Sequence, residues 1–209
     1  MSNTIKQIFS VAAVFAMAVF ILAIPARADQ IDFTNPAFAP AGGLTSIPVG
    51  ASDFCKANRG ECIANPNAVE AAALTDKRWN ELVDVNNLIN AAVTPVSDKD
   101  LYRVSELWAY PDAGYGDCED FALAKRKALI DMGWNPSTLL MTVVRQPNGE
   151  GHAVLLVRTD RGDLVLDNQD GRVLLWNETP YTYLKRQSQA DAAQWVDLID
   201  DRATFIASK

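Results

Sequence analysis

The order of hydrophobic patterns along the chain predicts an α+β domain, with helices first and an antiparallel sheet after them. Three observations carry this. Apolar residues between positions 68 and 95 recur at steps of three to five. A second helical pattern opens at Cys118. From Leu139 onward, short apolar runs rich in Val and Leu alternate with tight-turn residues.

The first segment reads as a leader. Lys6 supplies a positive start, Ile8 to Ile24 is almost wholly apolar, Pro25 breaks the run, and Ala26-Arg27-Ala28 is an A-x-A cleavage signal. The run approaches the length of a membrane span. The small-residue site and the polar start at Asp29 favour cleavage near Ala28, and hence a periplasmic or secreted protein. Residues 1–28 contain Lys6 and Arg27 and no acid, so their removal leaves 181 residues and changes the net charge from −7 to −9. That length suits one domain with its own core. The acidic balance speaks against nucleic acid as a partner and against an anionic membrane surface; it would attract cations.

Residues 29–53, rich in Pro, Gly and Ala, read as an extended N-terminal arm, and residues 54–209 as the domain proper. Helical patterning is expected from about Ala68, with Leu74, Trp79, Leu82, Val85, Leu88, Ile89 and Ala92 on one face and Pro95 as the stop. Tyr110 to Gly116 has loop chemistry. The next helix is expected over Cys118 to Met132, with Asp117 as N-cap, Asp120 at the capping-box position and Gly133 as terminator. Strands are expected at Leu139–Arg145, His152–Arg158, Asp163–Asp167, Val173–Trp176 and Trp195–Ile199, forming a meander.

There are three cysteines. Cys55 and Cys62 lie close together in a polar loop, and export would favour a disulfide between them. Cys118 is then left alone, at the first position of its helix. Free backbone N–H groups and the positive end of the helix dipole favour a thiolate there, and the same N–H groups suit a developing oxyanion. His152 is the only histidine, and a cysteine nucleophile needs such a base. If Thr159 pairs with Gly162 around the tip Asp160-Arg161, Val154 lies opposite Asp167 and His152 opposite Gln169. His152 and Asp167 then share a facing and sit diagonally, close enough for the carboxylate to orient the imidazole. A slip of one residue would separate them. Cys118, His152 and Asp167 in this chain order match the papain and transglutaminase arrangement, a triad of nucleophile, base and orienter. Trp108 and Tyr115 are candidate side-chain oxyanion donors beside the Cys118 backbone N–H.

Asp117, Glu119 and Asp120 flank the nucleophile and would raise its pKa by like-charge repulsion. They either act as helix caps or hold a cation, for which calcium suits carboxylates outside the cytoplasm.

The run Gly116-Asp117-Cys118-Glu119-Asp120-Phe121-Ala122 resembles the nucleophile motif of the bacterial transglutaminase-like cysteine peptidases. Gly151-His152-Ala153-Val154-Leu155 and Asp163-Leu164-Val165-Leu166-Asp167-Asn168 resemble the family's other two motifs, and Val85-Asn86, Asn90, Tyr183 and Arg186-Gln187-Ser188 fit the same pattern. The resemblance spans about Phe54 to Ile199. It implies a papain-like or transglutaminase-like fold, with the nucleophile helix packed on an antiparallel sheet and Cys118, His152 and Asp167 as the triad. No cofactor would be required for the chemistry, and Ca²⁺ would bind at Asp117, Glu119 and Asp120. The family includes periplasmic LapG-type proteases, which clip surface adhesins and so release biofilm. The implied partners are a protein or peptide substrate in the cell envelope and an inner-membrane regulatory receptor. Two rival expectations stand beside hydrolysis. One is the same triad in other acyl transfer, as a transglutaminase or a cell-wall peptide amidase. The other is a non-catalytic, calcium-dependent binding module.

Overall fold

The computed structural model describes residue 31 and residues 33–202, so the leader expected over residues 1–28 lies outside the described residues. In chain order the elements are β1 (Ala41–Thr45), α1 (Val49–Ala57), α2 (Asp76–Ala92), β2 (Thr94–Pro95), α3 (Asp98–Leu101), β3 (Tyr115–Gly116) and α4 (Cys118–Asp131). Then come β4 (Leu139–Arg145), β5 (Gly151–Thr159), β6 (Gly162–Leu166), β7 (Leu174–Leu175), β8 (Thr182–Gln187) and β9 (Trp195–Leu198). The α+β class expected from the patterning is the class observed.

α2 starts later than its apolar pattern suggests. The Thr75 hydroxyl accepts from the Arg78 N–H at 3.3 Å and caps the helix. The alanine-rich stretch before it is held extended instead: Ala72 N–H donates to the Arg158 carbonyl, and the Asp160 N–H returns to Ala72 O. Pairing at a sheet margin overrides the helix propensity of Ala. Leu82, Val85 and Asn86 are the buried positions of α2. Leu88, expected on the apolar face, is 66% exposed. α4 ends at a left-handed glycine, Gly133, with φ +87°.

Among the described residues the main sheet has seven strands in the order β1-β9-β8-β4-β5-β6-β7. The expected meander accounts for β4 to β7. After β7 the chain crosses back, and β8 pairs antiparallel with the free side of β4. β9 and then β1 complete that side, with Ala41 opposite Leu198 and Thr45 opposite Trp195. The stretch read as an extended arm therefore carries an edge strand and most of a helix. Glycine-rich β1 has little intrinsic strand preference, and its pairing with β9 determines its conformation.

The sheet is covered on both faces. Leu139, Met141, Leu155, Val157, Leu164 and Leu166 pack with Phe54, Leu82 and Leu129 of the helices. The alternate residues Leu140, Val154, Leu156 and Val165 pack with Trp176, Tyr181 and Tyr183. Burial on both sides is why β4 to β6 are continuous apolar runs rather than alternating ones. Cys55 and Cys62 form the expected disulfide, with Cα atoms 5.4 Å apart.

Candidate active site

The register around the Asp160-Arg161 tip is the one the sequence requires. Thr159 pairs with Gly162, and the ladder runs to Leu155 opposite Leu166. Extending it by one residue puts Asp167 diagonally across from His152, and the two meet: His152 Nε2 lies 2.8 Å from Asp167 Oδ1. Both side chains are buried. With Nε2 engaged by the carboxylate, Nδ1 faces the Gln169 side-chain amide, which donates to it at 3.5 Å.

Asp167 is held from several sides. The Gln169 N–H donates to Oδ1 at 3.0 Å, and the Tyr181 hydroxyl donates to Oδ2. The Asn90 side chain donates to the Asp167 carbonyl at 2.8 Å, and Asn86 donates to the Gly171 carbonyl at 3.1 Å, so α2 ties down the turn after β6. Burial alone would lift the Asp167 carboxyl. His152, with the Gln169 N–H and the Tyr181 hydroxyl, outweighs it and holds the group below the usual carboxylate range. Tyr181 is pushed well above the ordinary phenol value, by burial first and then by Asp167.

Cys118 opens α4, and its Sγ accepts from the Ala153 N–H at 3.3 Å, next to His152 in sequence. The segment before it is fixed by a parallel pairing of β3 with β2, Thr94 opposite Tyr115. The thiol donates to Glu119 Oε2 at 3.1 Å. Burial, then the Glu119 charge and hydrogen bond, push the thiol far up, against the pull of the Ala153 N–H. The conflict between helix dipole and acidic flank foreseen in the sequence is thus present in the fold.

The acidic residues are not arranged as expected. Asp117 occupies the N-cap position without capping; its Oδ2 accepts from the Asp98 N–H at 3.1 Å. Asp98, Asp117 and Glu119 bring carboxylate oxygens within 4.8 Å of one another. Each also holds a buried oxygen without a hydrogen-bond partner among the described residues: Asp98 Oδ1, Asp117 Oδ1 and Glu119 Oε1. Asp120, expected in the cluster, is not among these three; its Oδ1 accepts from the Ala109 N–H at 2.8 Å, it packs against Gly116, and its buried Oδ2 likewise has no hydrogen-bond partner among the described residues. Its neighbour in space, Asp98, was not anticipated, since it is distant in sequence and its Ser97-Asp98-Lys99-Asp100 context reads as an ordinary helix start. Burial, then Asp117, raises Glu119 to about 9. Burial also raises Asp98, against the hydrogen bond from the Leu107 N–H, and lifts Asp120 to about 7.

Of the two side-chain oxyanion donors considered from the sequence, Trp108 is already engaged. The Trp108 indole N–H is engaged by Glu106 at 2.8 Å, and Tyr115 is largely exposed. Sequence reasoning placed Gln169 opposite His152 without giving it a role, and it missed Tyr181, which lies just before β8.

Among solved structures, the calcium-bound form of Legionella pneumophila LapG is similar to this chain at 22% identity, TM-score 0.47, over 52% of this chain and 64% of that one. The chain thus spans just under two thirds of that LapG chain. The EGTA-treated form matches at 22% identity, TM-score 0.48, over 60% and 73% of the two chains. A structure described as a TGase matches at 16% identity, TM-score 0.28, over 60% and 43%. No curated protein sequence matches. The model of the bacterial transglutaminase-like cysteine proteinases, BTLCP, matches residues 41–203, most of the chain, and the protein therefore belongs to that family.

Proposed function

We propose that the chain is a cysteine peptidase that cleaves amide bonds with Cys118 as nucleophile, His152 as base and Asp167 as orienter. The observation that carries the reading is the 2.8 Å contact of His152 with Asp167 beside a helix-opening thiol that accepts from the Ala153 N–H. In the reaction, His152 Nδ1 takes the Cys118 proton and the sulfur attacks the substrate carbonyl carbon. The tetrahedral oxyanion sits near the backbone N–H of Cys118. Collapse breaks the C–N bond, His152 returns the proton to the leaving amine, and a thioester remains. Water, deprotonated by His152, then attacks the thioester and frees the acid product and the thiol. Asp167 keeps the proton on Nε2 throughout and stabilises the imidazolium.

Asp98, Asp117 and Glu119 fit a hard divalent cation: three carboxylates converge, and each has an oxygen with no other partner among the described residues. Calcium held there would supply positive charge beside Cys118. Glu119 would then be drawn toward its fellow acids and away from the thiol. The proposed substrate is a protein of the cell envelope, such as a surface adhesin, reached after removal of residues 1–28. An inner-membrane receptor is the proposed regulator.

The test is iodoacetamide alkylation at neutral pH. Cys118 should react faster than a free cysteine in calcium and more slowly after EGTA. Asp98→Asn should abolish the difference, and Cys118→Ala should abolish both labelling and the release of envelope proteins seen by mass spectrometry. An unreactive Cys118 in calcium, or unchanged protein release by Cys118→Ala, refutes the reading.

A further inference from the structure

A cavity of about 280 Å³ opens toward the end of α4 remote from Cys118. Arg126 and Ile130 of α4 form one wall and Leu140 of β4 another, with Glu61, Ile63 and the turn after β8 around them. It has room for roughly nine waters, the space of one or two peptide units.

Most of its polar side chains are already committed to the fold. Gln187 accepts from the Met141 N–H at 3.1 Å and donates to Ala192 O at 3.0 Å. Gln189 accepts from Arg158 Nη1 and donates to the Val69 and Glu70 carbonyls. Ser137 Oγ accepts from the Val69 N–H and donates to Val69 O. Selection of a ligand therefore falls to Arg126 and Glu61.

Arg126 is only 4% exposed. Its Nε donates to Leu139 O at 3.1 Å and its Nη1 to Glu61 Oε2 at 3.2 Å, which leaves Nη2 without a hydrogen-bond partner among the described residues. A donor left unmet on so buried a group is costly, and the cavity is where an acceptor can reach it. Burial works against the guanidinium charge, and Glu61 sustains it. The pair is neutral as a whole. An anionic ligand would meet the Glu61 carboxylate, and a cationic one the guanidinium. The acceptor that fits is neutral, an amide carbonyl. Glu61, with a side chain 35% exposed, has lone pairs to spare for an amide N–H. Ile63, Ile130 and Leu140 add an apolar surface, and Ile63 stands 61% exposed.

We propose that this cavity is an exosite that anchors one residue of a protein substrate, away from the bond that is cut. The substrate carbonyl accepts from Arg126 Nη2, an adjoining N–H donates to Glu61, and an aliphatic side chain lies against Ile63, Ile130 and Leu140. Arg126 follows Cys118 by eight residues, about 12 Å of helix, so at least about four extended residues separate the anchor from the scissile bond. The occupant rests on the reading of the chain as a cysteine peptidase.

The experiment follows backbone amide resonances of the Cys118→Ala chain by NMR. The probe is N-acetyl-leucine N-methylamide, with 4-methylpentanoate as an aliphatic carboxylate of similar apolar body. The amide should give saturable shifts at Ile63, Ile130 and Ser188 in the millimolar range, and the carboxylate should not. Arg126→Lys keeps a cation beside Glu61 but removes Nη2, and should weaken the amide about tenfold. Should Arg126→Lys not fold, Ile63→Asp decides, since it alters an exposed side chain and should weaken the amide severalfold. With Cys118 restored, Ile63→Asp should leave alkylation of the thiol unchanged and lower the release of envelope proteins severalfold. No saturation at these residues, tighter binding of the carboxylate, or undiminished release by Ile63→Asp overturns the proposal. Failure of the peptidase reading looks different, because Cys118 would be unreactive while the amide still bound.

Discussion

Replacing Tyr181 with phenylalanine removes one oxygen from the surroundings of Asp167. His152 and Gln169 both engage Oδ1, at 2.8 and 3.0 Å, whereas among the described residues Tyr181 alone serves Oδ2. The ring itself would stay, edge-on to His152 with centroids 5.3 Å apart, so the loss is confined to the hydroxyl. A hydrogen bond to a charged group contributes about 1.5–3 kcal/mol, and Oδ2 would be left dry, so a loss of about 2 kcal/mol is expected. For a domain of this size that is a fall of about 4–8 °C in melting temperature. The deficit should depend on pH. Asp167 titrates below the usual carboxylate range in the fold, so its contribution is complete above the unfolded value of about 3.9 and is lost as pH falls through the lower folded value. Urea denaturation of both chains from pH 7 downward should show the full deficit at neutral pH and a shrinking one below about pH 4. A deficit unchanged to the lowest pH, or none at neutral pH, refutes the reasoning.

Gly116→Ala should be disruptive, because the added Cβ would meet Asp120 Oδ2 at 2.6 Å and Asp120 Cβ at 2.7 Å, just before Cys118. Calorimetry should show a loss of about 1–3 kcal/mol, and Cys118 alkylation should slow; a chain unchanged in both would show that Asp120 yields freely. The Cys55–Cys62 disulfide closes a short loop, seven residues apart in sequence. The double alanine variant should lose about 2–3 kcal/mol in denaturant melts, whereas an unchanged midpoint would place the reduced loop already in its native shape.

The β5–β6 hairpin was legible because its information is local. A two-residue tip fixes the register, and the register fixes which side chains meet. β8 was not legible, since Lys185 and Arg186 give it a polar look. Arg186 is nonetheless buried and donates to the Gln187 carbonyl, a partner no pattern announces. The acid cluster failed for a related reason. Asp98 reaches Asp117 across 19 positions, and the Asp98 N–H draws the Asp117 carboxylate away from the cap it was expected to make.

The hairpin that joins His152 to Asp167 also has a bearing on how the chain assembles. These two residues are 15 positions apart, whereas β1 meets β9 across most of the chain, Ala41 to Leu198. Short loops close quickly and long ones slowly, so His152 and Asp167 should come together as a local unit while the far side of the sheet is still open. The imidazole–carboxylate pair should therefore form early, and the proposed triad is complete only once α4, which carries Cys118, has docked.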